Sequence, residues 1–214
     1  FLDTGIDYES QVFRNSDGST RILAVWDQTD RTGKPPEGFI YGTEYTEVEI
    51  NEALNSMNPK AVVPITDPEG HGTFIASVAA GSEVPEQDFI GAAPASRIVM
   101  VKLKPAKEYL REFFFVPRDA EAFQENDIMA GVAYLEQVAQ RHHMPLVICF
   151  GLGSNMGSHV GVSHLSMLLN DSAVRSGRAT VVAAGNEGNE RHHYYGVIEK
   201  GMEYQNVEVN VGEG

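Results

Sequence analysis

Asp67-Pro68-Glu69-Gly70-His71-Gly72-Thr73 runs without a break into Phe74-Ile75-Ala76-Ser77-Val78-Ala79-Ala80-Gly81. The first half is turn chemistry, with Pro68 between two acids and Gly70 after the second. The second reads as a helix in which Ile75 and Val78 lie among small residues, with Gly81 at its C-cap. Small side chains let a helix approach a sheet closely, so the pattern predicts a buried central helix carrying His71 at its N-terminus. There the helix dipole disfavours the imidazolium and helps keep the ring neutral, which suits a general base.

Working outward, apolar runs alternate with helical patterns. Arg21 to Trp26, Arg97 to Leu103, Leu146 to Phe150 and Ala179 to Ala184 read as buried strands, and helices are expected after His71, from about Asp127 and near Val162. Ile128, Val132, Leu135 and Ala139 recur at helical spacing behind a capping candidate at Asn126 or Asp127. Strands apolar on both faces and separated by helices predict an α/β fold, a three-layer αβα arrangement around a mostly parallel sheet. Phe1-Leu2-Asp3 reads as the last residues of a buried strand, so the layer is expected to be incomplete at both ends of the chain.

Two stretches interrupt the alternation, about 27–58 and 107–125, and both are expected to be surface loops. The second holds Phe113-Phe114-Phe115, read as a small satellite core in preference to a substrate-binding edge. Asn206 to Val211 alternates strictly, which fits a half-exposed antiparallel strand. The chain has 214 residues, 42% of them hydrophobic, and a formal net charge of −14. The length suits one good-sized core, and the charge argues against nucleic acid and anionic membrane surfaces as partners. No segment approaches the roughly 18 apolar residues of a membrane span. Cys149, the only cysteine, lies in an apolar strand and reads as a structural thiol.

Three short motifs carry chemistry. Asp3-Thr4-Gly5 falls where a parallel strand ends, the edge of an α/β sheet at which ligands bind. His71-Gly72-Thr73 opens the central helix, and Ala183-Ala184-Gly185-Asn186 follows the last strand. Taken singly these are an Asx turn, a capping histidine and a glycine turn. Together they place an acid, an imidazole and an amide at one edge of one sheet, the parts of an acyl-transfer site.

In that order the motifs resemble those of the subtilisin-like serine peptidases. The resemblance implies that Asp3 orients His71, that His71 takes the proton of a serine nucleophile, and that the Asn186 amide stabilises the tetrahedral oxyanion. It also implies that Gly151, Leu152 and Gly153 line one wall of the primary specificity pocket, with Ala183, Ala184 and Gly185 opposite, pairing with an extended peptide substrate. The separation of Asp3 from His71 is about twice that of compact family members, which the 27–58 insertion accounts for. Phe74 stands where many members have a second histidine. No cofactor is evident. Glu83, Glu86 and Asp88 could bind a cation but lack the family's calcium-loop pattern, so calcium is possible without being supported by a recognisable loop, and no metal site is expected at Asp3 and His71.

The Gly-Thr-Ser-Met-Ala type of nucleophile motif is absent. Ser154, Ser158, Ser163 and Ser166 lie in other contexts. The resemblance extends to the clostridial, Csp-type group, in which a jelly-roll domain is inserted between the oxyanion Asn and the Ser. Residues 1–190 are therefore expected to be the N-terminal part of a catalytic domain and 191–214 the start of an inserted β segment. The chain alone is expected to be inactive, its sheet completed by the C-terminal remainder or by self-association. The rival expectation is a pseudoprotease that binds or regulates. Extracellular or spore-associated localisation follows from the resemblance alone.

Overall fold

The computed structural model describes residues 1–154, 157–186, 188–189 and 193–209. Its strands are β1 (Leu2–Asp3), β2 (Ile22–Asp27), β3 (Thr43–Thr46), β4 (Ile98–Lys102), β5 (Leu146–Phe150) and β6 (Arg178–Val182). They form one six-stranded sheet in the order β3-β2-β4-β1-β5-β6. Every pairing is parallel except that of β3 with β2. The helices are α1 (Glu47–Leu54), α2 (Pro59–Val62), α3 (His71–Ala80), α4 (Glu108–Phe113), α5 (Glu125–Arg141) and α6 (His164–Ala173). The fold is thus the expected mixed α/β type, with a mostly parallel sheet between helices.

Alternation along the strands sorts the core into two clusters. Ile98 and Met100 of β4 face α1 and α3, where Ile50, Ala53, Ala76 and Ala80 are buried. Val101, Ile148 and Phe150 face α5 and α6, against Val132, Leu135 and Val138. Each buried Ile, Val, Leu, Met or Phe among them contributes about 1.5–3 kcal/mol of transfer free energy. β1, the shortest strand, lies between β4 and β5 in the middle of the sheet. The crevice at the carboxyl end of such a central strand is the usual ligand position in this class of fold. Among the described residues, no helix is long and apolar enough to cross a membrane.

Several expectations need correction. The 27–58 stretch is not loop throughout: it contributes the edge strand β3 and the helix α1. A capping box was readable there, since Thr46 accepts from the Glu49 amide while the Glu49 carboxylate accepts from the Thr46 amide. The Phe113-Phe114-Phe115 triplet forms no satellite core: the three rings are 73%, 50% and 90% exposed. Polar bonds close that loop instead, with Arg111 donating to the carbonyls of Pro117, Arg118 and Ala120. α5 begins at Glu125, ahead of the expected caps, because Asp127 is engaged elsewhere. Its Oδ1 accepts from Lys104 Nζ at 2.6 Å and from the Tyr41 hydroxyl at 2.8 Å. Gly81 ends α3 as expected, yet with an extended backbone (φ −65°, ψ 140°) rather than the left-handed one usual for a glycine cap. Asn206 to Val209 show no strand, and Asn210 and Val211 lie outside the described residues.

Candidate active site

Asp3 ends β1 with its side chain 2% exposed. Its Oδ1 accepts from the Thr4 amide at 2.8 Å and lies 2.7 Å from His71 Nδ1. A carboxylate can only accept, so Nδ1 carries the proton of the neutral ring and Nε2 keeps its lone pair. The His71 side chain is 45% exposed, which leaves that nitrogen open to a reactant.

The partners of this pair explain why α3 starts where it does. Gly70, at φ 75°, turns the chain into the helix without offering a capping side chain. The orphan amides of the first turn find acceptors outside the helix. Thr4 Oγ1 accepts from the Gly72 amide at 3.1 Å, and Asp67 Oδ2 accepts from the Thr73 amide at 2.8 Å. Thr4 Oγ1 also donates to Asp67 Oδ1 at 2.7 Å, and Thr73 Oγ1 donates to Asp67 Oδ2 at 2.6 Å. Asp67 is therefore a clamp between the Asp3 turn and the His71 helix. Burial pushes its carboxyl upward, but the hydroxyls of Thr73 and Thr4 and two backbone amides together hold it below its usual range. Sequence reading gave Asp67, Thr4 and Thr73 no role, although an Asp shortly before a helix start is itself a capping signal.

Glycine brings the pieces within reach. A Cβ on Gly72 would lie 2.2 Å from the Gly5 carbonyl oxygen, and one on Gly151 would lie 2.7 Å from Asp3 Oδ2 and 3.4 Å from His71 Cε1. Gly151 thus joins the acid and imidazole to the ends of β5 and β6. There Gly151, Gly153, Ser154, Ala183, Ala184, Gly185 and Asn186 line a cleft of about 300 Å³. Leu152 departs from expectation, because its side chain packs against the core beside α5 instead of lining the cleft. In a strand-like segment successive side chains point to opposite faces, which sends Leu152 inward.

His71 is held above its ordinary pKa, chiefly by the hydrogen bond to Asp3; burial opposes this, and the charges of Asp3, Glu121 and Asp67 add to it. The expectation that the helix N-terminus keeps the ring neutral is outweighed by this carboxylate. Glu121 belongs to the 107–125 stretch, and no feature of the sequence marked it. Its own carboxyl is raised by partial burial and by the like charges of Glu69, Asp3 and Asp67, with His71 opposing. Glu121→Gln is expected to lower the His71 pKa, read from the imidazole Cε1–H resonance across a pH titration. An unchanged midpoint would show that Glu121 does not reach the ring.

Among the described residues, no group of three or more His, Cys, Asp or Glu side chains is placed to hold a metal ion. Glu83, Glu86 and Asp88 are exposed. The carbonyls of Ala80 and Ala93 are already occupied by the Arg21 guanidinium.

A buried carboxylate thus holds an imidazole at the carboxyl edge of a parallel sheet, beside glycine-lined strand ends. The chain belongs to the subtilase family, whose family model, peptidase S8, matches residues 1–207. It is 34% identical to the CspB protease of Clostridium perfringens, whose solved structure superposes with a TM-score of 0.73 over 88% of this chain and 36% of that one. A subtilisin-like protease of Arabidopsis thaliana, SBT3.6, is 31% identical over 120 residues, 47% of this chain and 15% of the plant protein. The chain thus spans well under half the length of either relative.

Proposed function

We propose that this chain supplies the acid, the base and the oxyanion donor of a serine endopeptidase, and that the nucleophilic serine comes from a further part of the same polypeptide. The observation that carries the reading is the 2.7 Å contact between His71 Nδ1 and buried Asp3 Oδ1. His71 Nε2 takes the serine hydroxyl proton as the oxygen attacks the peptide carbonyl carbon. The Asn186 amide donates to the oxyanion that forms. Collapse breaks the C–N bond, the imidazolium returns its proton to the leaving amine, and water releases the acyl group by the same steps. Gly151 to Gly153 and Ala183 to Gly185 hold the substrate backbone as an added strand.

An uncovered sheet face supports a serine from elsewhere in the polypeptide. Val147 and Cys149 point away from α5, opposite Ile148 and Phe150, and pair with Ala179 and Val181 of β6. Val147 is 64% exposed and Val181 57%. Phe74 and Val78 of α3 are exposed as well. An apolar sheet face needs a covering layer. A helix bearing the nucleophile would cover it and reach His71. Of the chain's own serines, Ser163 caps α6 and is bonded to Ser166, while Ser158 accepts from the Val160 amide.

The test is cleavage of an unfolded protein substrate. The complete polypeptide is expected to cleave it and residues 1–214 alone are not. Asn186→Ala in the complete polypeptide is expected to lower kcat about 10²- to 10³-fold, the scale known for the equivalent donor in subtilisin itself. A folded, complete polypeptide that binds peptides without cutting them would favour the pseudoprotease reading, against which the intact Asp3–His71 contact argues.

A further inference from the structure

Four carboxylates, those of Asp3, Asp67, Glu69 and Glu121, meet around His71, and they divide into two kinds. Asp3 and Asp67 are spent on the protein, the first on His71 and the Thr4 amide, the second on Thr4 and Thr73. Glu69 and Glu121 are exposed, and among the described residues neither accepts a hydrogen bond or pairs with a Lys or Arg.

The backbone fixes where these two acids stand. Glu69 lies in the turn two residues before His71. Glu121 lies at the foot of the loop that follows β4, where the Ala106 amide donates to the Ala122 carbonyl at 2.7 Å and Pro105 bridges Phe123. That foot stands beside the end of β1, because the Leu103 amide donates to the Asp3 carbonyl at 2.9 Å. Of the cations around the loop, Lys104 is paired with Asp127, and Arg111 is spent on the carbonyls of Pro117, Arg118 and Ala120. Partial burial raises the Glu121 carboxyl, and so do the charges of Glu69, Asp3 and Asp67, with His71 alone opposing. Carboxylates crowded by their own sign and lacking a counter-charge attract a cation from outside.

We infer that Glu69 and Glu121 are specificity-determining residues that select a Lys or Arg side chain of the peptide substrate within two residues of the scissile bond. The inference rests on the peptidase reading, which brings a peptide to His71. Two residues of extended peptide span about 7 Å, so side chains on either side of the reacting carbonyl pass close to the imidazole and to the acids around it. With no group of three metal-ligating side chains among the described residues, an organic cation on a flexible stem is the better match for this edge.

The experiment uses the complete polypeptide and a series of blocked decapeptides, uncharged except for one Lys, or Gln in its place, moved one position at a time. Products locate the scissile bond, and kcat/KM gives the Lys-to-Gln ratio at each position. Lys is expected to be favoured about fivefold at one position within two residues of that bond, the upper end for an exposed ion pair, and less so at high salt. Glu121→Gln and Glu69→Gln should each bring the ratio toward one, and Glu121→Lys should turn the preference toward Glu. Glu86→Gln, an exposed acid beyond the far end of α3, should leave the ratio unchanged. Fluorescence anisotropy of the same peptides with the His71→Ala polypeptide reads the preference without cleavage. Cleavage with no Lys preference, or a preference that Glu121→Gln and Glu86→Gln lower alike, would overturn the inference and leave the peptidase reading standing. A Lys preference in binding, with no cleavage by the unsubstituted polypeptide, would uphold the two acids and remove the peptidase; neither binding nor cleavage would overturn both.

Discussion

On the proposed function, Asp3→Asn in the complete polypeptide is expected to lower kcat by about 10⁴-fold with KM nearly unchanged, the scale established for the same change in serine proteases. The carboxylate at position 3 only accepts, and so fixes the Nδ1–H tautomer of His71 at a contact of 2.7 Å. An Asn amide also donates, and the arrangement it favours places the proton on Nε2, where the base must be free. The same change removes the main support of the imidazolium, so the His71 pKa must fall. The pH dependence follows in sign. Because the native pKa of His71 is raised, the acid limb of kcat/KM lies above that of an unperturbed histidine, and Asp3→Asn moves it down. For stability, the raised pKa means that the pair's contribution is fully present below the unfolded value of about 6.5 and is lost as pH rises through the folded one. Steady-state kinetics and an NMR titration of His71 measure both. A variant that kept its rate would remove Asp3 from the mechanism.

Gly72→Ala is expected to cost about 1–3 kcal/mol of stability, as overpacking does in a close-packed core, and to reduce activity strongly. The added Cβ would lie 2.2 Å from the Gly5 carbonyl oxygen, 3.0 Å from the Gly5 amide nitrogen and 3.0 Å from Asp3 Cβ. Two of these neighbours are backbone atoms, which cannot swing aside. The first turn of α3 must therefore lift away from β1, stretching the Asp3–His71 contact and the Gly72–Thr4 bond together. A displacement of about 1 Å in a catalytic group can cost 10²-fold in rate. Denaturant unfolding and kcat read the two effects separately. Gly188→Ala, where an added Cβ meets nothing within 4 Å, serves as the control. If Gly72→Ala were as mild as that control, the close approach of helix and strand would be wrong.

The fold was legible wherever burial and periodicity agreed. The run from Leu146 to Phe150 is a strand over those residues, and Ile128, Val132, Leu135 and Ala139 all face the core from α5. Sequence reading failed where short elements carried polar residues. Thr43–Thr46 has too few residues to show a period, and Glu47–Leu54 buries only Ile50 and Ala53, so its helix is announced by its capping box more than by its face. The site followed the same division. Asp3 and His71 were readable because motif and position coincide, whereas Asp67 and Glu121 act on His71 through space, across turns whose path no periodicity encodes. The Phe113-Phe114-Phe115 triplet shows the converse error, since apolar composition predicts burial only where a neighbour exists to pack against.

The most direct measurement is covalent labelling of the complete polypeptide with a fluorophosphonate, followed by peptide mapping. Such a probe reacts only with a serine made nucleophilic by a positioned base. Labelling is expected at a single serine outside residues 1–214, in a segment that packs on the Val147 and Val181 face, and His71→Ala is expected to abolish it. A folded, complete polypeptide that takes up no label, or one whose labelling is unchanged by His71→Ala, would contradict the assignment of His71 as the base.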